Sequence, residues 1–129
     1  MSASSFNQIR VSRSALVHNY RLLQQRAGES TRILAMVKAD GYGHGMVEAA
    51  EIFAAEGCRD FGVAEVGEGI RLRSSGVAGN IFIFLGFRAE DAGLLFDHCL
   101  TPVIYDLDSC RHLSREAVKR GKTMMVHLK

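Results

Sequence analysis

The sequence predicts an α/β fold of about five parallel strands with intervening helices. Short apolar runs recur about every 25 residues, and stretches with apolar residues at helical spacing lie between them. Because parallel strands need a crossover connection, such βα units close right-handed into one sheet. This period fits a closed barrel and an open doubly wound sheet equally. The predicted strands are residues 33–39, 60–64, 81–85, 101–105 and 124–128.

The helices are predicted from their apolar periodicity and their caps. Ser12 or Ser14 can cap a first helix that runs to Ala27, and Gly28 follows it. The other predicted helices are residues 46–56, 66–74, 90–97 and 107–120. The inward faces of the first and last helices are expected to consist of Leu16, Tyr20, Leu23 and Ala27 in the first and of Cys110, Leu113 and Ala117 in the last.

The beginning of the chain stands apart from this repeat. Residues 6–11 alternate apolar and polar side chains, which is typical of an edge strand. We therefore expect an N-terminal edge strand within residues 1–11 and the repeated βα domain in residues 12–129.

One predicted strand ends in a charged residue. Residues 33–39 are apolar except for Lys38. Side chains alternate along a strand, so Lys38 shares a face with Leu34 and Met36 at the carboxyl end, where parallel sheets build their sites. A lysine that leaves an apolar strand is partly desolvated, which lowers the pKa of its amine and makes it a nucleophile for an aldehyde.

The loop after Lys38 alternates glycine with other residues. Glycines stand at positions 41, 43 and 45, with Tyr42 and His44 between them. Such glycines allow positive φ and a close backbone approach to a ligand. An amine nucleophile beside a candidate phosphate cradle indicates pyridoxal 5'-phosphate, held as a Schiff base. The plainer interpretation is a solvated lysine followed by a turn, since lysine is almost never fully buried.

The nine residues from Val37 to Gly45, VKADGYGHG, closely resemble the cofactor-lysine motif of the alanine racemase family, usually written VKA(N/D)AYGHG. The one departure is Gly41, where alanine is commoner. The resemblance covers nearly the whole chain. FGVAEVGEGIRLR, residues 61–73, is similar to the second strand and helix of the family, and residues 80–86 to the third strand. TMMVHLK, residues 123–129, is similar to the strand that in the family continues into Asp-Thr-Gly-Met-Gly-Arg.

This resemblance implies the N-terminal portion of a (β/α)8 TIM-type barrel, because family members are longer and add a β-rich C-terminal domain. It implies that Lys38 is the catalytic residue that holds pyridoxal 5'-phosphate and moves the α-proton of the substrate. It also implies that Tyr42 lies near the cofactor phosphate. Lys129 matches a lysine that is carbamylated in many members. A partial barrel has two open strand edges, so we expect the isolated chain to oligomerise, swap elements or aggregate.

The implied activity is the interconversion of L- and D-alanine, which supplies D-alanine for the cell wall, in a homodimer. The family's second base is a tyrosine from the C-terminal domain of the partner subunit. None of Tyr20, Tyr42 and Tyr105 matches it, so this length of chain is expected to be inactive alone. Two alternatives stay open. One is a non-catalytic pyridoxal-phosphate-binding half-barrel or assembly fragment, and the other is a related barrel decarboxylase or broad-specificity racemase.

The composition is that of an ordinary globular domain, with 47% hydrophobic and 23% charged residues. A net charge of +2 with scattered basic residues gives no indication of a nucleic-acid or membrane partner. The three cysteines are not at ligand spacing, which predicts reduced thiols and no metal site. No apolar signal segment follows the first residues, so the expected location is the cytoplasm.

Three smaller signals have competing interpretations. Residues 67–69, Gly-Glu-Gly, invite a dinucleotide site, but the third glycine of that motif is missing. Glu65 and Glu68 are better explained as acids that favour the positive end of a helix. His44 is expected to stabilise its loop through a hydrogen bond. His127 is equally a candidate neighbour of the cofactor and a structural residue.

Overall fold

The protein is described here by a computed structural model that covers residues 7–129. Its five strands form one parallel sheet in the order β1-β2-β3-β4-β5, so each strand pairs with its neighbours in the chain. The predicted α/β class is confirmed. The strands are Leu34–Met36 (β1), Asp60–Val63 (β2), Asn80–Ile83 (β3), Thr101–Ile104 (β4) and His127–Leu128 (β5).

Helices connect the strands and cover one face of the sheet. They are Arg13–Ala27 (α1), Lys38–Tyr42 (α2), Met46–Ala55 (α3), Val66–Ser74 (α4), Ala92–Asp97 (α5) and Leu107–Arg120 (α6), with a 3-10 turn at Ala89–Asp91. The hydroxyl of Ser12 accepts a hydrogen bond from the Ala15 N–H at 3.2 Å, which confirms the predicted cap of α1. In residues 7–129, no helix combines the length and apolar character needed to cross a bilayer.

The core lies between the sheet and its helices. Ala35 and Val37 point into it from the first strand, whereas Leu34 and Met36 lie on the opposite face, as the alternation predicted. A Cβ atom at Gly62 on β2 would collide with the ends of the Leu34 and Met36 side chains, which occupy that space. The fully buried side chains of the core include Phe61, Val63, Leu72, Ile81, Ile83 and Leu95.

Arg73 fixes the amino-terminal edge of the sheet. Its guanidinium donates to the carbonyl oxygens of Val77 at 2.7 Å and Gly79 at 2.9 Å, in the segment that leads into β3. It also donates to those of His98 at 3.0 Å and Cys99 at 2.8 Å, in the segment before β4. One side chain on α4 therefore joins the starts of two strands, opposite the edge that carries Lys38.

The predicted inward faces of two helices are partly wrong. Leu23 is 59% exposed and Ala27 is also exposed, because α1 packs mainly against α3 through the stacking of Tyr20 on Phe53. Cys110 is exposed because α6 packs mainly against α5 around the buried Leu113.

The expected edge strand at the N-terminus is absent from its described part. Residues 7–12 form neither helix nor strand, and the described sheet consists of β1 to β5 alone. Residues 1–6 lie outside the described residues. The division into residues 1–11 and 12–129 stays a prediction.

Candidate functional site

Lys38 lies where the chain leaves the sheet. β1 ends at Met36, and the Val37 N–H makes one further hydrogen bond, to the Gly62 carbonyl at 2.8 Å. The strand is thus shorter than the predicted range 33–39, because the backbone turns at Lys38. The Lys38 side chain is partly buried, which agrees with the expected partial desolvation. It stands at the carboxyl end of a parallel strand, as predicted.

The segment after Lys38 is a left-handed turn rather than an open loop. Ala39, Asp40, Gly41 and Tyr42 have φ values of 50°, 51°, 64° and 53°. An L-residue in this conformation costs roughly 1–2 kcal/mol, so the three residues other than glycine together store about 3–6 kcal/mol. Hydrogen bonds within the turn and from its surroundings must hold such a turn in place.

Several of these contacts come from the turn itself. The Gly41 N–H donates to the Val37 carbonyl at 2.9 Å. The Asp40 carboxylate accepts from the Met46 N–H at 3.2 Å and so caps α3. The His44 ring nitrogen Nδ1 lies 2.9 Å from the Gly41 carbonyl. This hydrogen bond confirms the loop-stabilising role that the sequence predicted for His44.

One contact comes from a distant part of the chain. The Glu68 carboxylate accepts from the Ala39 N–H at 2.8 Å and from the Ala64 N–H at 2.7 Å. Glu68 also forms a capping box with Glu65 at the start of α4. The sequence predicted only the helix-terminal role. The bond to Ala39 crosses 29 positions of the chain, and no local pattern signals it.

The same contacts argue against a dinucleotide site at residues 67–69. The carboxylates of Glu65 and Glu68 accept the hydrogen bonds at the start of α4 that the phosphates of a dinucleotide would need. Gly69 is needed for packing, because a Cβ atom there would lie 2.7 Å from the Ile83 side chain.

Two other predicted residues occupy the same edge of the sheet. Tyr42 lies at the end of the left-handed turn and is 61% exposed. Lys129 follows β5, and its N–H donates to the Ile104 carbonyl at 3.0 Å. β1 and β5 are the outer strands, so Lys38 and Lys129 are separated by four strand spacings, up to about 19 Å. Lys38 and Tyr42 are thus the first and last residues of one five-residue segment, whereas Lys129 follows the opposite outer strand of the sheet.

His127 has a structural contact. Its ring meets the Phe82 ring edge-on, with centroids 5.7 Å apart and planes at 89°. Both residues lie on the sheet face away from the helices, so this packing supports the structural interpretation of His127.

The chemistry of the site suits an organic cofactor. Among residues 7–129, no group of three or more His, Cys, Asp and Glu side chains is arranged to hold a metal ion. The site instead offers a primary amine at Lys38 and a phenol at Tyr42. A primary amine can bind an aldehyde covalently, and a phenol can donate a hydrogen bond to a phosphate oxygen. These two groups fit pyridoxal 5'-phosphate.

Comparisons with known proteins identify the family. Residues 11–129 match the family model described as alanine racemase, N-terminal domain. Alanine racemase 1 of Caldanaerobacter subterraneus is 33% identical over 122 residues, which are 95% of this chain and 31% of that protein. The alanine racemase of Thermodesulfovibrio yellowstonii is 38% identical over 129 residues, which are 98% of this chain and 35% of that protein. The chain thus spans about a third of the length of these relatives.

Solved structures agree in fold. The alanine racemase from E. faecalis superposes with a TM-score of 0.78 at 31% identity, over 82% of this chain and 29% of that one. The histidine racemase from Leuconostoc mesenteroides gives a TM-score of 0.80 at 25% identity, over 88% of this chain and 30% of that one. The five-stranded sheet is the N-terminal part of the barrel expected from the sequence. The chain belongs to the alanine racemase family.

Proposed function

We propose that this chain supplies the cofactor-binding part of a pyridoxal-phosphate-dependent racemase that interconverts L- and D-alanine. The observation that supports it most is the position of Lys38, a partly buried amine at the carboxyl end of β1 that opens a strained turn held on both sides. When bound, pyridoxal 5'-phosphate supplies an electron sink for removal of the α-proton. The similarity to alanine racemases supports alanine as the substrate.

Two residues of the turn and two of β1 have proposed roles. The Lys38 Nζ would hold the aldehyde group of the cofactor, and when free it would take or return the α-proton of the substrate. The Tyr42 hydroxyl would donate a hydrogen bond to the cofactor phosphate. Leu34 and Met36 share the Lys38 face of β1 and fill the space over Gly62, so they exclude water from the floor beside the amine.

Further parts of the proposal rest on the family. We propose that Lys129 is carbamylated, that the complete enzyme is a homodimer of the cytoplasm, and that its product supplies D-alanine to the cell wall. The chain by itself is proposed to be inactive, because no tyrosine in it matches the second base of the family.

A second candidate function is racemisation of another amino acid. The structural similarity to a histidine racemase, with a TM-score of 0.80, supports this candidate. A third is a non-catalytic half-barrel that binds pyridoxal phosphate without turning over any amino acid.

The first test is covalent capture of the cofactor. Pyridoxal 5'-phosphate is added to the chain, the adduct is reduced with borohydride, and the labelled residue is located by mass spectrometry. The variant Lys38→Ala and the matched exposed-lysine control Lys122→Ala are treated in the same way. We expect a yellow colour before reduction and a reduced adduct on Lys38 after it, both lost in Lys38→Ala and kept in Lys122→Ala. Equal labelling of all three proteins would contradict the assignment of Lys38.

The second test separates the three candidates. The chain is mixed with the C-terminal portion of a family member, and racemisation of alanine and of histidine is measured. Alanine turnover supports the proposal, whereas histidine turnover alone supports the second candidate. Adduct formation without turnover of either amino acid supports the non-catalytic half-barrel.

A further inference from the structure

The Glu68 carboxylate accepts hydrogen bonds from backbone groups outside its own helix. One oxygen accepts from the Ala39 N–H at 2.8 Å and the other from the Ala64 N–H at 2.7 Å. Ala39 follows Lys38 beyond β1, and Ala64 directly follows β2. A single side chain therefore joins the carboxyl ends of two neighbouring strands.

The bond to Ala39 falls on strained backbone. Ala39 has φ 50° and ψ 51°, and the next four residues also have positive φ. The hydrogen bonds inside the turn include those from Gly41 to Val37 and from Met46 to Asp40, whereas the Ala39 N–H donates to Glu68. The carboxylate is a stronger acceptor than a neutral carbonyl, so it is suited to hold this unfavourable conformation.

The geometry of the peptide unit connects this bond to Lys38. The Ala39 N–H belongs to the planar peptide that joins Lys38 to Ala39. The Val37 carbonyl, in the peptide on the other side of Lys38, accepts from the Gly41 N–H. Holding the peptide planes on both sides of Lys38 fixes its φ and ψ, and with them the direction in which the lysine side chain leaves the strand. The other end of the bridge is anchored at Ala64, directly after a strand that pairs on both sides.

We infer that Glu68 is a positioning residue for Lys38, acting through the Ala39 peptide. The inference deepens the proposed function and rests on the role given there to Lys38. It requires two acceptor oxygens at the distance of a glutamate side chain. Glutamine offers one oxygen and turns an N–H group toward the second donor, so it can keep only one of the two bonds.

The test compares Glu68 with its neighbour in the capping box. Glu68→Ala and Glu68→Gln are made beside the matched variants Glu65→Ala and Glu65→Gln, which remove the same charge from the same helix end. The Glu65 carboxylate caps α4 and has no bond to Ala39. Two quantities are measured for each variant. The first is the rate of amide hydrogen exchange at Ala39 without cofactor. The second is the apparent Kd of pyridoxal phosphate for Lys38, taken from how the amount of borohydride-trapped adduct depends on the cofactor concentration.

We expect Glu68→Ala to speed exchange at Ala39 by about 10- to 100-fold, the equivalent of one lost bond to a charged acceptor. The Kd for the Lys38 adduct should rise at least about tenfold, because the amine is no longer held in one direction. Both Glu65 variants should stay within about twofold of the unsubstituted chain. Glu68→Met, which keeps the length of the side chain and has no acceptor oxygen, decides by the same criteria if Glu68→Ala does not fold.

Two results would overturn the inference. One is unchanged exchange at Ala39 in the Glu68 variant that lacks both acceptor oxygens. The other is faster exchange at Ala39 with a Kd equal to that of the Glu65 variants, which would make Glu68 a purely structural bridge. If the unsubstituted chain forms no adduct on Lys38, the proposed function fails for this chain, and exchange at Ala39 alone decides whether Glu68 holds the turn.

Discussion

Replacing Arg73 by methionine should strongly destabilise this fold. Its guanidinium donates hydrogen bonds to four backbone carbonyls, two before β3 and two before β4. Methionine keeps much of the aliphatic volume of arginine but donates no hydrogen bond. The variant therefore isolates the contribution of the four bonds from that of packing.

The expected magnitude follows from the burial of these bonds. Three of the four are partly buried, so water replaces the lost donor poorly at those carbonyls. At about 1–1.5 kcal/mol for each of them, Arg73→Met should lower the free energy of unfolding by about 3–5 kcal/mol. This is a large part of the roughly 5–15 kcal/mol that stabilises a typical domain. Arg73→Lys should recover only a minor part, because one ammonium group cannot span four carbonyls.

Urea unfolding followed by far-ultraviolet circular dichroism at low protein concentration measures this difference. Arg71→Met is the matched control on the same helix. Its partner Asp40 lies 3.5 Å away, and the two side chains are 62% and 59% exposed. Such an exposed pair contributes less than about 1 kcal/mol. If Arg73→Met and Arg71→Met lose the same free energy of unfolding, the argument from the carbonyl bonds is refuted.

Three further predictions concern a buried phenol, two glycines and the sheet edges. Burial and the nearby Cys58 thiol raise the pKa of Tyr20 to about 12, so the neutral phenol stabilises the folded state fully below pH 10 and this contribution is lost as the pH rises toward 12. Tyr20→Phe should flatten the loss of stability over that range in urea titrations, and an unchanged slope would contradict it. Gly79→Ala should lower the free energy of unfolding by about 1–3 kcal/mol, since its Cβ would collide with the Arg59 carbonyl. Gly67→Ala should raise it by about 0.5–1 kcal/mol, because the added Cβ meets open space in a helix. Equal thermal unfolding of the two variants would argue against this contrast. The open edges of β1 and β5 should give concentration-dependent oligomers in size-exclusion chromatography with light scattering, and a stable monomer at every concentration would exclude this.

The helices with local signals were predicted most closely. The bounds of α4 and α6 agree with the predicted ranges 66–74 and 107–120. The hydroxyl of Ser12 caps α1 as the sequence indicated, and the carboxylate of Asp106 caps α6. A cap and a helical period involve only residues within a few positions of each other, so the sequence contains the whole signal.

The turn after Lys38 was predicted in its glycines but not in its conformation. Lys38 and the glycines at 41, 43 and 45 follow from a short motif, and all three glycines have positive φ. The left-handed conformation of Ala39 and Asp40 was not expected, because neither residue favours it by itself. Contacts from outside the turn select that conformation.

By itself, the sequence determined the βα repeat, the family, and the lysine at the end of the first strand. Those features rest on periodicity, caps and one contiguous motif. Only the tertiary structure decided the bridge from Glu68 to Ala39, the four carbonyl bonds of Arg73 and the exposure of Leu23. The physical reason is that each of these depends on how separate helices and strands pack together. Their partners lie far apart in the chain, and no propensity of neighbouring residues specifies which of them meet.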